Sequence, residues 1–170
     1  MSEISFVHSP IGILEIHATM ESISKIKFIS NFNVHKMNNP KEISDIAHQT
    51  SIEINEYFNG DRKVFTVPFK LNLPPFYKRV LLEVTKIGYG SKASYGEIAK
   101  RVGNIKAARA VGTANSRNPL PIIIPCHRII SSTGGLGGYS GGFDKKSFLL
   151  YHESQTFSLK EHLPIKSKVN

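Results

Sequence analysis

The chain has 170 residues, 40% of them hydrophobic, which is enough apolar material for a real core in one medium domain or two small ones. Its one cysteine excludes an internal disulfide and a cysteine-based zinc cluster. The formal charge of +9 is uneven, net −1 over residues 1–73 and net +10 over 74–170, so the second half is expected to face a polyanion, nucleic acid before membrane.

No apolar run approaches the roughly 18 residues a membrane span needs, and "MSEISFVHSP" has no basic leader followed by an apolar stretch. A soluble, intracellular, cytoplasmic protein without a membrane partner is expected. His8, His17, His35 and His48 are scattered without ligand-type spacing, which favours packed or solvated histidines over a metal site.

In chain order, "SPIGILEIHA" opens on a turn signal, and both it and "ISKIKFI" alternate apolar with polar residues, as the first strands of an antiparallel sheet would. Leu14 and Ile16 share one face, as do Ile26 and Phe28. Ile43, Ile46, Ile54 and Phe58 fall near helical spacing before Gly60, giving one helix or two short ones. "KVFTVPFKLNLPP" reads as extended, and Pro74 and Pro75 mark a domain boundary. Beyond it, Phe76, Val80, Val84 and Ile87 form one apolar helical stripe that stops before "GYGSK".

"SYGE" at 94–97 is a capping box, predicting a helix of about nine residues that ends at Gly103. Asn104 is suited to cap a following helix, "IKAARAVGTA". Two short helices across a Gly-Asn turn make a helix-turn-helix candidate. The second is rich in Ala and Gly, with Arg109 as its main long polar arm. Such a surface suits close, shape-driven contact better than the reading of base edges. The alternative is an alanine-rich helix packed into the core.

The lone cysteine lies in "PIIIPCHRII", 121–130. Burial alone favours a packing role, because free cysteine behaves as a small hydrophobe. His127 and Arg128 beside it point to chemistry instead, since such neighbours promote the thiolate.

The run from "SYGEIAKRVG" through "PCHRI" and "GGYSGG" to "LLYHES" resembles the O6-alkylguanine-DNA alkyltransferase family, the methylated-DNA-protein-cysteine methyltransferases. The similarity is tightest over 94–154 and extends more loosely to "SPIG" and "EYFNGDRKVFTVPFKLNLPPF". It implies an α+β protein with a ribonuclease-H-like N-terminal α/β domain (1–73) and a winged helix-turn-helix C-terminal domain that carries DNA binding and the active site (74–154). Residues 155–170 would form a basic, polar tail, with disorder as the default.

The resemblance further implies a DNA-repair protein without cofactor or metal, acting as a monomer on double-stranded DNA that carries alkylated guanine. Cys126 matches the alkyl acceptor, His127 the base that draws off its proton through a water, and Glu153 the carboxylate that orients the imidazole. Tyr95 matches the tyrosine beside a flipped base, and Arg109 the finger that fills its vacated place. Asn118 matches a hinge, Tyr139 and Ser140 the loop over the base, and Lys106 is counted with the DNA contacts. Ser154 departs from the glycine common after the glutamate, and Asn115, Ser116 and Arg117 fall where members vary.

A thiol is mostly protonated at neutral pH, so attack on saturated carbon needs a nearby base. On a regular strand Cys126 and His127 would point to opposite faces, so a bend or a bridging water must intervene. His152 is the alternative base. The alkylated nucleotide must leave the stack to be reached, and a hydrogen bond from Tyr95 would stabilise charge developing on the purine. The thioether formed cannot be reversed by these residues, so each molecule should act once. Two other classes remain open, a cysteine hydrolase with a Cys-His-Glu site and a DNA-binding regulator without chemistry.

Overall fold

Alternating residues build the first layer. The computed structural model describes residues 3–29 and 44–161, with the side chains of the last helix as far as 155. Strand β1 (Glu3–Ser9) turns through Pro10 and Ile11 into β2 (Gly12–Ala18), which pairs antiparallel with β3 (Ile23–Ile29). Leu14 faces Phe28 and Ile16 faces Ile26 across the ladder, on the apolar face that the alternation predicts. β1 adds an edge strand that was not expected. The extended segment runs beside the start of β3, where Ile23 N donates to Pro68 O and Lys70 N to Ile23 O, each at 2.9 Å.

Helix α1 (Asp45–Phe58) is single, not split. Ser44 caps it by accepting from Ala47 N, and it closes before Gly60 at φ +81°, a conformation that favours glycine. Ile54 and Tyr57 are buried; Ile43 and His35 lie outside the described residues. Pro75 opens α2 (Pro75–Val84) as its first residue, where a missing N–H costs nothing. This helix ends three residues earlier than the apolar stripe suggests: Ile87 is buried from the turn that follows.

Both bonds of the predicted capping box form, Glu97 N to Ser94 Oγ at 3.1 Å and Ser94 N to Glu97 Oε2 at 2.6 Å. Helix α3 (Tyr95–Arg101) has seven residues rather than nine, and Gly103 turns the chain at φ +83°. Asn104 caps a 3-10 turn over Ile105–Ala107, after which α4 (Ala108–Ser116) begins. Buried residues from both halves of the chain, β1 to β3 and α1 with α2 to α4, form one continuous apolar core.

The segment around the cysteine takes the bend that a regular strand would lack. It is not a regular strand: Cys126–Arg128 form a 3-10 turn, and only Ile129–Ile130 (β5) are extended, paired parallel with β4 (Ala93–Ser94). The turn supplies the bend that Cys126 and His127 require. Four residues earlier, Ile122 is buried at φ +76°, a left-handed conformation that is strained for a β-branched side chain. Helix α5 (Phe143–Glu161) continues into the tail expected to be disordered; 162–170 lie outside the described residues. No described helix is long and apolar enough to cross a membrane.

Candidate active site

The cysteine sits at the junction of three elements. Cys126 is 1% exposed, and Asn118, just beyond α4, donates from Nδ2 to its Sγ at 3.0 Å and to Ile124 O at 2.9 Å. Asn118 Oδ1 accepts from Leu120 N at 3.0 Å, so the amide ties the segment after α4 to the cysteine turn. Asn115 Nδ2 holds Cys126 O at 3.2 Å. Burial pushes the Cys126 thiol up to about 11, against the opposing pull of the Asn118 bond and the Lys146 charge. At neutral pH the sulfur therefore rests as a thiol and needs a base.

His127 is wholly buried, with Nε2 2.8 Å from Glu153 Oε1. Arg128 forks onto the same carboxylate, Nε to Oε2 at 3.0 Å and Nη2 to Oε1 at 2.9 Å, while its Nη1 donates to Ile87 O at 2.5 Å. Gly90 N and Tyr57 Oη also donate to Glu153, at 3.0 and 2.8 Å. Burial acts to raise the Glu153 carboxyl, but hydrogen bonds and charge from His127 and then Arg128 outweigh it and hold it at about 2.

An ionised Glu153 fixes the proton of His127. A carboxylate can only accept, so Nε2 carries the hydrogen and Nδ1 presents a lone pair. That Nδ1 is buried and has no hydrogen-bond partner among the described residues. Burial lowers the His127 pKa despite the Glu153 bond, so the imidazole is neutral at pH 7 and free to take a proton. His152 lies elsewhere, with its Nε2 on Tyr57 O at 2.8 Å.

Tyr95, at the start of α3, lines an open cleft of about 450 Å³ with Arg109, Ala108, Gly112 and Ser131. Arg109 is exposed in the first turn of α4. The loop after β5 passes directly over the Tyr95 hydroxyl at Gly137. A Cβ there would lie 2.6 Å from the Tyr95 oxygen, and the backbone has φ +65°, so both space and conformation call for glycine. Burial, then charge at Cys126, raises the pKa of Tyr95 and of Tyr139, keeping both hydroxyls protonated. The Tyr139 ring meets Phe28 edge-on at 6.4 Å, and its hydroxyl is buried without a partner among the described residues.

The structure thus binds Cys126 to Asn118 and His127 to Glu153, two hydrogen-bonded sets carried side by side on one 3-10 turn, and sets Tyr95 and Arg109 along a cleft beside α3 and α4. Ser140 and Lys106 are exposed, with no described contact to either set. The roles of three contributors escaped the sequence. The sequence reads Arg128 as a cation that promotes the thiolate, whereas its guanidinium is spent on Glu153. Lys146 reads as a surface lysine of α5 but is fully buried, donating to Ile129 O at 2.5 Å and to Leu136 O. Tyr57 lies 96 residues from Glu153, and no local pattern marks it.

A buried thiol beside a neutral, carboxylate-oriented imidazole, on a chain whose basic half carries a capped helix pair, defines a protein in which a cysteine acts as nucleophile next to a polyanion. Comparison with known proteins narrows this class. Residues 4–71 match the family model for the 6-O-methylguanine DNA methyltransferase ribonuclease-like domain, and 75–155 the DNA binding domain of the same family. A methylated-DNA-protein-cysteine methyltransferase of Methanosarcina acetivorans is 39% identical over 143 residues, covering 84% of this chain and 92% of that protein. The constitutive enzyme of Bacillus subtilis is 42% identical over 121 residues, 71% of this chain and 73% of that one. Among solved structures, Mycobacterium tuberculosis OGT in complex with DNA superposes with a TM-score of 0.80 at 35% identity, covering 90% of this chain and 93% of that one.

The chain belongs to the 6-O-methylguanine DNA methyltransferase family. Its enzyme class is methylated-DNA-protein-cysteine methyltransferase, acting in DNA repair with DNA as partner.

Proposed function

We propose that this protein, as a monomer in the cytoplasm, extrudes an O6-alkylated guanine from duplex DNA and takes the alkyl group onto Cys126, once per molecule. The observation that carries this is the His127 ring. Its Nε2–H is committed to an ionised Glu153, and its buried Nδ1 lone pair is left for the thiol proton beside it. A buried nitrogen of this kind needs a partner, and a bridging water to Cys126 Sγ supplies one. The thiolate attacks the alkyl carbon, the carbon–O6 bond breaks, and its electron pair moves onto the purine. Tyr95 Oη donates a hydrogen bond to that developing charge, and the purine regains one proton to leave as guanine.

DNA handling falls to the half beyond Pro74. α3 and α4 are proposed as the helix-turn-helix and the loop after β5, with Tyr139 and Ser140, as a wing over the flipped base. The bulk of residues 1–73 forms the other domain. Lys106, in the 3-10 turn before α4, and Arg109, in its first turn, lie exposed, where they can meet the backbone and the vacated stack. Asn118 links the end of α4 to the sulfur.

With excess duplex carrying O6-methylguanine, repair is expected to plateau at one lesion per protein, with a mass gain of one methylene confined to the peptide of Cys126. Continued turnover would revive a hydrolase. Arg109→Ala is expected to slow repair in duplex DNA on the order of tenfold or more, because extrusion costs a few kcal/mol, and to leave transfer from free O6-benzylguanine nearly unchanged. Equal losses on both substrates would assign Arg109 to the fold or the pocket.

A further inference from the structure

Glu153 is held by four residues from three places, and one of them is out of keeping with the others. His127 and Arg128 belong to the cysteine turn, and Gly90 N to the loop before β4. Tyr57 comes from the last turn of α1, in the half of the chain that carries no other group of the site. Its hydroxyl donates at 2.8 Å to Oε1, the same oxygen that accepts from His127 Nε2 at 2.8 Å.

The tyrosine is fixed in place more firmly than packing alone requires. It is fully buried, with Phe58 at 5.1 Å, Phe65 at 5.5 Å and Tyr89 at 5.9 Å around the ring. Its carbonyl is held as well, by His152 Nε2 of α5 at 2.8 Å, one residue before Glu153. Phenylalanine would fill the same box without a polar atom to satisfy. A buried hydroxyl is costly unless bonded, and Glu153 already has its charge offset by Arg128. What the hydroxyl adds is a neutral donor on the oxygen that faces the imidazole, beside the bonds Oε1 already accepts from His127 Nε2 and Arg128 Nη2.

We propose that Tyr57 is a positioning residue of the alkyl-transfer site, through which the N-terminal half sets the orientation of Glu153 and the basicity of His127. The proposal rests on the roles given above to Cys126 and His127. By donating to Oε1, Tyr57 draws charge from the carboxylate and weakens its hold on an imidazolium. His127 is thereby kept neutral while remaining oriented. The groups acting on His127 are Glu153, which favours its charged form, and Arg128 and Lys146, which oppose it. Tyr57 tips this balance at the carboxylate, and its own hydroxyl stays protonated because burial and then Glu153 raise it well above the ordinary range.

The test is the pH dependence of alkyl transfer from free O6-benzylguanine to the full chain, read by intact mass, for wild type and Tyr57→Phe. The variant is expected to react on the order of tenfold more slowly, a part of the roughly 10²–10⁴-fold that a positioned general base contributes. The acid limb of its profile should also move up by roughly half to one pH unit, since Glu153 then holds the imidazolium more tightly. Affinity for unmodified duplex should stay the same. Difluorotyrosine at position 57, a stronger donor of the same shape, should move the acid limb down, and this arm decides the matter even if Tyr57→Phe folds poorly. An unchanged acid limb in both, with wild type reacting normally, would overturn the positioning role and leave Tyr57 as packing. Absence of any mass gain on Cys126 in wild type would instead overturn the alkyl-transfer roles themselves, and the proposal with them.

Discussion

Glu153→Gln is expected to destabilise the protein by about 3–5 kcal/mol and to slow alkyl transfer on the order of 10²-fold or more. The carboxylate is 1% exposed and accepts from Tyr57, Gly90, His127 and the Arg128 fork. An amide keeps the shape but offers one acceptor and turns an N–H₂ toward donors, leaving the 5%-exposed Arg128 without its counter-charge. His127 loses the acceptor that fixes its Nε2–H, so the Nδ1 lone pair is no longer assured for the thiol proton. Denaturant unfolding and single-turnover transfer from O6-benzylguanine measure the two effects separately. A variant within 1 kcal/mol of wild type, reacting at the same rate, would remove Glu153 from both roles.

The same carboxylate gives stability a pH dependence. Its folded value of about 2 lies below the ordinary 4.5, so ionised Glu153 favours the folded state. That contribution is complete above pH 4.5 and is lost as pH falls from there toward 2, amounting to roughly 3 kcal/mol at about 1.4 kcal/mol per unit.

Alkylation of Cys126 is expected to lower the unfolding midpoint, by a few degrees for methyl and by more for benzyl. Cys126 is 1% exposed and its chain neighbours Ile124 and Ile129 are fully buried, and an added methyl in a filled site typically costs about 1–3 kcal/mol. In a domain of this size that corresponds to roughly 2–10 °C. Asn118 Nδ2 sits 3.0 Å from Sγ and must move or lose its bond when the sulfur becomes a thioether. Its other bonds reach Ile124 O and Leu120 N, so the displacement passes into the turn at the end of α4 and toward strained Ile122. Loosened DNA binding should accompany the drop. Thermal unfolding and duplex affinity of free, methylated and benzylated protein check this; equal midpoints and equal affinity would place product release elsewhere.

Much of the scaffold was legible because its signals are short-range. Alternation over seven residues places Leu14, Ile16 and Ile26 on a buried face, whatever lies further along the chain. The capping box of Ser94 and Glu97 is a contract between residues three apart, and it forms as written. Gly60 and Gly103 stop helices through their own backbone freedom. The pairing of cysteine with histidine and a later glutamate was carried by motif and resemblance, and the structure brings those three residues together.

What the sequence could not give are the features that depend on partners distant in the chain. The bend at Cys126–Arg128 forms because Asn118 and Asn115 donate to its sulfur and carbonyl while Cys126 N donates to Ile124 O, and a run of isoleucines says nothing of those bonds. The end of α2 at Val84 leaves Ile87 O to accept from Arg128, 41 residues on. Lys146 and Tyr57 resemble ordinary helix residues until tertiary packing buries them, and then each polar atom must find an acceptor wherever the fold has put one. Local propensity and pattern act over a few residues. The satisfaction of buried charge is settled only when the two halves of the chain close over the same carboxylate.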